Sequence, residues 1–240
     1  MNGVVGYLLL GVVVAAGALV QSVVGFGLAV VAAPVVVFVR PDLLPAALLF
    51  TTLLLPIWEL ASNERDIAWR LFGAAIAGRL ALLPVGVWLV ANASARVIAV
   101  IVGVMVLVAV AGSLTPWTVR AQPIPALAAG LLTGISGTAA SIGGPFFGLV
   151  LQHERPARVR STLAAFFVVG ATSSLVGLAV AGQVSGPQFA AGVGWIPFVV
   201  VGAILARPVR ARVGRDRMRR GVLAVSAIAG ILVLARAGLT

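Results

Sequence analysis

The chain has 240 residues, of which 61% are hydrophobic and only 10% are charged. Because a soluble domain carries about a quarter charged residues and about half apolar ones, this composition excludes a soluble globular protein. The 17 basic residues are all Arg and outnumber six acidic residues, which gives a formal net charge of +11.

The reactive side chains are too few for most catalytic and metal sites. Cys is absent, His153 is the single histidine, and the six acids are scattered. These counts exclude disulfides and thiolate sites and argue against a metal cluster or a Ser-His-Asp site. We therefore expect no enzyme activity, no metal and no cofactor.

Eight hydrophobic blocks follow one another along the chain, and at ~20 apolar residues per crossing they account for nearly all of it. The blocks are 4–39, 43–61, 68–91, 96–115, 124–152, 161–182, 188–206 and 221–238. Six have the length of one tilted helix, whereas 4–39 and 124–152 are too long and contain a glycine-rich break. The sequence predicts an all-α polytopic membrane protein with a single domain, 1–240, whose main partner is the lipid bilayer.

The two long blocks resemble each other. Residues 15–34 and 128–147 share a helix of small residues, a polar patch and a glycine-rich break, and three single helices follow each. This pattern predicts two internal repeats, about 1–118 and 119–240.

The orientation of the repeats depends on how the long blocks cross the membrane. If each block is a single broken crossing, the halves are parallel; if each is a re-entrant hairpin, the halves are inverted. The arginine-rich loop 207–220 contains seven Arg, which by the positive-inside rule predicts a cytoplasmic loop of a membrane protein rather than nucleic-acid binding. With this loop inside, we favour hairpins and inverted repeats, with both termini outside.

The glycine-rich breaks are the first candidate binding site. A backbone that leaves helical geometry at membrane depth needs protein or a water-filled cavity around it, and a restarted helix offers free N–H groups to an anion. Close packing of helices through small residues explains the glycines equally well. The candidate residues are Gly137, Thr138, Ser141, Gly143 and Gly144 in the second half and Gln21, Ser22, Gly25 and Gly27 in the first.

Arg79 is the second candidate. It lies nine residues beyond Arg70, about 13 Å along a helix, and therefore near the bilayer midplane. An Arg at that depth costs at least ~2.5 kcal/mol, so it should face a cavity or a partner. It either binds an anionic substrate or forms an ion pair, for which Glu59 is the plausible acid.

Two segments carry a family resemblance. QSVVGFGLAVVAAP at 21–34, and GLLTGISGTAASIGGPFFGLVLQ at 130–152 followed by RVRSTLAAFFVVG at 158–170, resemble the TauE/SafE family of bacterial membrane transporters. The resemblance implies a plasma-membrane exporter of sulfite, sulfoacetate or related sulfur-containing anions. The matching positions are Gly25 and Gly27, and then Gly137, Ile142, Gly143, Gly144 and Pro145. Phe146 and Phe147 depart from the family pattern beside the candidate site.

These observations give a main hypothesis and two alternatives. The main one is an anion exporter in which two glycine-rich hairpins meet near the midplane and Arg79 supplies positive charge. The first alternative is a transporter of another small oxyanion or a carboxylate. The second is a membrane scaffold without cargo, in which the glycines serve packing alone.

Overall fold

The computed structural model describes residues 3–25, 27–62, 65–114, 119–212 and 215–239, and within these ranges the chain is helical without a β-strand. The helices are α1 (Gly3–Val24), α2 (Leu28–Val39), α3 (Ala46–Thr52), α4 (Leu54–Ser62), α5 (Trp69–Asn92), α6 (Ala95–Leu114), α7 (Pro123–Ala139), α8 (Gly144–Val150), α9 (Pro156–Val180), α10 (Gly186–Gly194), α11 (Ile196–Arg212) and α12 (Arg215–Leu239). A 3-10 turn, Pro41–Leu43, joins α2 to α3.

Five helical segments among the described residues are long and apolar enough to cross a bilayer. They are Val5–Val23, Trp69–Asn92, Ala95–Leu114, Pro156–Val180 and Gly186–Val209, and four shorter apolar helices accompany them. The all-α membrane fold expected from composition is thereby confirmed. Large apolar side chains on the outer faces, such as Val12 and Ile204, are more than half exposed, as lipid-facing residues are.

Two blocks predicted as single helices are interrupted. Block 43–61 begins where the 3-10 turn ends and contains α3 and α4, which are separated by Leu53. Block 188–206 contains parts of α10 and α11, which are separated by Trp195. A proline follows each interruption, Pro56 and Pro197, and its missing N–H leaves the carbonyl four residues earlier without a helical donor. Each block nevertheless forms one apolar helical segment, Ala46–Ser62 and Gly186–Val209, with a local irregularity near its proline.

The first long block turns back on itself at its glycine-rich break. Gly25 and Gly27 have φ angles of 102° and 130°, which side chains disfavour and which end α1. A Cβ on Gly17 of α1 would lie 2.7 Å from the carbonyl oxygen of Leu28 at the start of α2. On a straight helix, Gly17 and Leu28 would be about 16 Å apart, because eleven residues separate them. Their contact therefore shows that α2 runs back along α1.

The second long block makes a similar turn over residues 140–143. Ser136 Oγ in α7 donates to the carbonyl of Ile142 at 2.7 Å, and Ile142 N–H donates back to the carbonyl of Ser136. Gly143 then lies beside Thr133, ten residues earlier. Both long blocks are therefore helical hairpins, although α8 extends for only two turns.

Glycines set the closest helix contacts. The backbones of α5 and α7 meet at Gly78, Gly130 and Gly134. Contacting residues rise in number along both helices together, from Ala75 of α5 against Gly130 of α7 to Gly86 against Thr138. The two helices are thus parallel. Side chains larger than hydrogen would separate them, as is common for small-residue helix pairs in membranes.

A second pair of helices repeats this arrangement. Gly194 lies against Tyr7, and Gly202 lies against Ala15 and Ala18, so the chain running from α10 into α11 is parallel to α1. In contrast, α6 and α12 are antiparallel, because Gly103 contacts Leu234 whereas Leu107, further along α6, contacts Gly230.

Charged residues collect at the two ends of the helix bundle. At one end, which we call the arginine-rich end, Asp66 pairs with Arg158 at 2.9 Å and with Arg155, and Glu59 pairs with Arg160 at 3.4 Å. Among the arginines whose side chains the structure describes, seven lie at this end: Arg65, Arg70, Arg120, Arg155, Arg158, Arg160 and Arg207.

The opposite end holds far fewer cations. Arg40 pairs with Asp42 at 2.7 Å, and this guanidinium holds the pKa of the Asp42 carboxyl below its usual range by donating hydrogen bonds to it. Gln188 ties α10 to the same turn by donating to the carbonyls of Asp42 and Leu44, and Arg236 donates to the carbonyl of Phe38.

Two predicted features lie partly outside the described residues. These are residues 213 and 214 of the predicted loop 207–220, and residues 115–118 at the predicted boundary of the repeats.

The close contact between α5 and α7 predicts a large cost for one methyl group. A Cβ on Gly130 would overlap the backbone of Ala75, whereas a Cβ on Gly112 in α6 would meet open space. We expect Gly130→Ala to lower the free energy of unfolding by about 1–3 kcal/mol, as overpacking does, and Gly112→Ala to leave it unchanged or raise it by up to ~1 kcal/mol through helix propensity. Thermal unfolding in detergent measures both, and equal effects would contradict the assigned packing.

Candidate anion-binding site

Arg79 lies in the middle of α5, ten residues after Trp69 and nine before Trp88. Both tryptophans are more than 60% exposed, as expected for residues near the two faces of the membrane. Arg79 itself is only 3% exposed. Its side chain points into the protein at the depth where a charge is most costly.

Three glycines make room for the guanidinium. A Cβ on Gly137 in α7 would lie 2.8 Å from Nη1 of Arg79, and a Cβ on Gly143 would lie 3.2 Å from the same atom. A Cβ on Gly170 in α9 would overlap Cζ and Nε. The head group of Arg79 therefore fills the space between α7, the turn at 140–143 and α9.

The groups around the guanidinium are neutral. Nη2 of Arg79 donates to Ser174 Oγ at 3.3 Å, and Ser174 Oγ is hydrogen-bonded to Thr138 Oγ1 at 2.9 Å. The ring of Phe166 lies below Cζ, with its centroid 5.3 Å away. Both hydroxyls are fully buried, and the Nε atom of Arg79 is buried without a hydrogen-bond partner among the described residues.

No carboxylate of the described residues compensates the charge of Arg79. The four acids whose side chains the structure describes are Asp42, Glu59, Asp66 and Glu154, and each pairs with another arginine. In particular Glu59, the acid that the sequence offered as a partner for Arg79, lies at the arginine-rich end and pairs with Arg160. The ion-pair interpretation of Arg79 through Glu59 is therefore wrong, because α4 ends at the membrane face and α5 carries Arg79 to its middle.

The structure brings part of the second-half candidate set to Arg79. Gly137 and Gly143 contact the guanidinium, and Thr138 reaches it through Ser174. Ser141, with a φ of 60°, points elsewhere and donates to the carbonyl of Pro45 at 3.1 Å. Gly144 is the first residue of α8.

The first-half candidates lie in a separate part of the molecule. Gln21 Oε1 accepts a hydrogen bond from the N–H of Leu28 at 3.2 Å and so closes the turn between α1 and α2. Gly27 lies against Val20, and the cluster around this turn includes Ala206 of α11. None of the described contacts joins Arg79 to the first-half candidates Gln21, Ser22, Gly25 and Gly27. The turn of the second hairpin, at Ser141, contacts Pro45 rather than the turn of the first hairpin.

Sequence reasoning missed three members of the site, Phe166, Gly170 and Ser174. All three lie on α9, within or just beyond the segment RVRSTLAAFFVVG. Their spacing of four residues places them on one face of a helix, which is the available signal.

A pocket opens at the arginine-rich end, below the site. It has a volume of about 780 Å³ and is lined by the starts of α5, α7 and α9, including Arg70, Gln122, Glu154 and Arg158. Between this pocket and Arg79 lies a buried apolar cluster that contains the contacting rings of Phe147 and Phe166, 4.8 Å apart. In this conformation the cluster separates Arg79 from the pocket.

The site combines one buried cation, two hydroxyls and backbone that glycines leave uncovered, and it lies within a membrane-embedded helix bundle. Such an arrangement can hold an anion. The sequence profile of the Sulfite exporter TauE/SafE family matches residues 9–233, nearly the whole chain. The chain belongs to the TauE/SafE family. No curated protein and no solved structure matches it.

The family match covers both hairpins and the whole Arg79 site. It establishes the class of this TauE/SafE protein as a membrane transporter of the sulfite exporter type. Within that class, Phe147, which the sequence marked as a departure from the family pattern, packs against Phe166 under the site.

The overlap between Gly170 and Arg79 predicts a thermodynamic coupling. We expect Gly170→Ala to destabilise the protein because the added methyl displaces the guanidinium, and to cost much less when Arg79 is already replaced by Ala. The double-mutant cycle, measured by thermal unfolding in detergent, should give a coupling energy of about 0.5–3 kcal/mol. Gly73→Ala in α5, where a Cβ meets open space, is the control. Additive effects of the two substitutions would show that Gly170 does not shape the space of Arg79.

Proposed function

We propose that this TauE/SafE protein exports a small sulfur-containing anion, such as sulfite or an organosulfonate, across the bacterial plasma membrane, and that Arg79 binds it. The observation that carries the proposal is the buried guanidinium of Arg79, which has a free Nε donor and no carboxylate partner among the described residues. A cation at this depth is costly unless something neutralises it. A bound anion supplies that charge.

The site offers the chemistry that an oxyanion needs. Arg donors form planar, charge-assisted hydrogen bonds with oxyanions. One of the two hydroxyl hydrogens of Ser174 and Thr138 is used in their mutual hydrogen bond, and the other can donate to a further oxygen. Gly137 and Gly143 leave backbone close to the guanidinium. Another small oxyanion or a carboxylate would use the same groups, and the family favours the sulfur-containing cargo.

The scaffold alternative explains less of the structure. Packing accounts for Gly78, Gly130 and Gly134, which join α5 to α7. It gives no reason for an unpaired cation between the same helices, since an apolar side chain would fill that space at lower cost.

We further propose that the chain consists of two inverted repeats. Their helices would correspond in order, so that α5 beside α7 matches α11 beside α1, and both pairs are parallel. The corresponding helices α6 and α12 are antiparallel, as inverted repeats require. Arginines support the orientation. Of those whose side chains the structure describes, seven lie at the arginine-rich end, against Arg40, Arg96 and Arg236 at the other, so the arginine-rich end would be cytoplasmic.

This topology places the 780 Å³ pocket on the cytoplasmic side, where Arg70 and Arg158 would attract anions from the cell interior. To reach Arg79 the anion must pass Phe147 and Phe166, so the proposed cycle includes movement of this cluster. The negative interior of the cell favours export by ~2.3 kcal/mol per elementary charge per 100 mV.

The topology can be tested on the native chain, which contains no Cys. We expect a single Cys at Ala121, exposed at the arginine-rich end, to resist a membrane-impermeant thiol reagent in intact cells. A Cys at Ala181, exposed after α9 at the other end, should react. Both sites should react in broken cells. Labelling of the Ala121 variant from outside would contradict the proposed orientation.

The role of Arg79 predicts opposite changes in transport and in stability. In liposomes with an imposed potential, Arg79→Met should lower sulfite flux at least about tenfold because the anion loses its charge partner, whereas Arg79→Lys should keep part of the flux. The thermal stability of Arg79→Met should stay level or rise, because an unpaired buried charge is removed.

The stability measurement separates this proposal from a folding defect. Unchanged flux through folded Arg79→Met would remove Arg79 from the mechanism, and an absence of flux through the native protein would support the scaffold alternative. Gly73→Ala is the matched control in the same helix.

A further inference from the structure

The charge of the Arg79 site sets a limit on the charge of its ligand. Arg79 contributes one positive charge, and the polar groups beside it, Ser174 and Thr138, are neutral. The nearest other arginine of α5 is Arg70, nine residues away at the arginine-rich end. In the described residues the middle of the bundle therefore holds a single cation.

We propose that the Arg79 site accepts monovalent anions and rejects divalent ones, so that sulfite is carried as hydrogen sulfite and small sulfonates are carried as single charges. This inference rests on the proposed function. A monovalent anion makes a neutral pair with Arg79. A divalent anion leaves one negative charge uncompensated in a region where the membrane offers no solvation.

The geometry around the guanidinium supports the same limit. Gly137, Gly143 and Gly170 lie around the head group and the ring of Phe166 lies over it, so none of these neighbours brings a second charge to the site. The free Nε of Arg79 and the one hydroxyl hydrogen that the Ser174–Thr138 pair does not use internally offer donors to the oxygens of one small head group. A sulfonate or a hydrogen sulfite ion presents such oxygens with one net charge.

Permanent charges on the probe provide the first test. In liposomes containing the purified protein, methanesulfonate, which is monovalent over the working pH range, should be carried at least about tenfold faster than the divalent sulfate. The reason is that the free-energy cost of an unpaired charge at mid-membrane is larger than the free energy that corresponds to a tenfold change in rate. Sulfite flux should fall as the pH rises through its second ionisation, while methanesulfonate flux stays constant.

The outcomes distinguish the two proposals. Sulfate flux equal to methanesulfonate flux, or sulfite flux that grows as the divalent form accumulates, would overturn the monovalent site and leave the transport proposal standing. Absence of saturable flux for every anion would overturn both.

A substitution at Ser174 provides the second test. Ser174 Oγ lies 3.3 Å from Nη2 of Arg79, so the carboxylate of Ser174→Asp would pair with the guanidinium and take the place of the anion. We expect methanesulfonate flux to fall at least about tenfold, while thermal stability is kept or raised. Ser174→Asn has the size of the Asp variant without its charge, so it measures the effect of size and of the lost hydroxyl, and the flux of the Asp variant should fall well below it. Equal flux through the Asp and Asn variants would overturn the proposal.

Discussion

A guanidinium without a carboxylate partner, held halfway along a membrane-spanning helix, is the constraint around which the second half of this protein is organised. Inserting such a charge costs several kcal/mol unless neighbours solvate it. The solvation that the described residues provide is incomplete, because the contacts of Arg79 are one hydroxyl and the face of Phe166, and Nε has no partner. A polar site in which a hydrogen-bond donor has no protein partner is suited to bind an anion and then to release it.

Glycines serve two purposes in this region, and the position of each decides which. Gly78, Gly130 and Gly134 let the backbones of α5 and α7 touch, whereas Gly137, Gly143 and Gly170 face the head group of Arg79. Without the close approach of α5 to α7, Arg79 would not reach the turn at 140–143. Packing and binding are thus successive consequences of one run of small residues, which is why the sequence supported both interpretations.

Composition and block length were enough to predict the helical membrane fold and the two glycine-rich turns. The depth of Arg79 and the break in the helix at Gly137 and Gly143 also followed from local patterns, since helix rise and backbone freedom are local properties. The contribution of Ser174 and Gly170 did not, because their contact with Arg79 spans more than 90 residues and depends on how α9 packs. Gln21, which the similarity between the two breaks placed in the same candidate site, closes its own turn by accepting a hydrogen bond from the N–H of Leu28.

The two halves differ most where the proposed repeat would make them equivalent. If residues 15–34 are aligned with 128–147, Gly202, which packs on Ala15 and Ala18 of α1, corresponds to Gly78, which packs on Leu127 and Leu131 of α7. Ala203, which is half-buried and neutral, then stands where Arg79 stands in the first half. A second arginine there would place another cation in the membrane interior and add a second insertion cost. Alanine in its place confines the charge to one half, so that the symmetry of the fold is retained while the site carries a single charge.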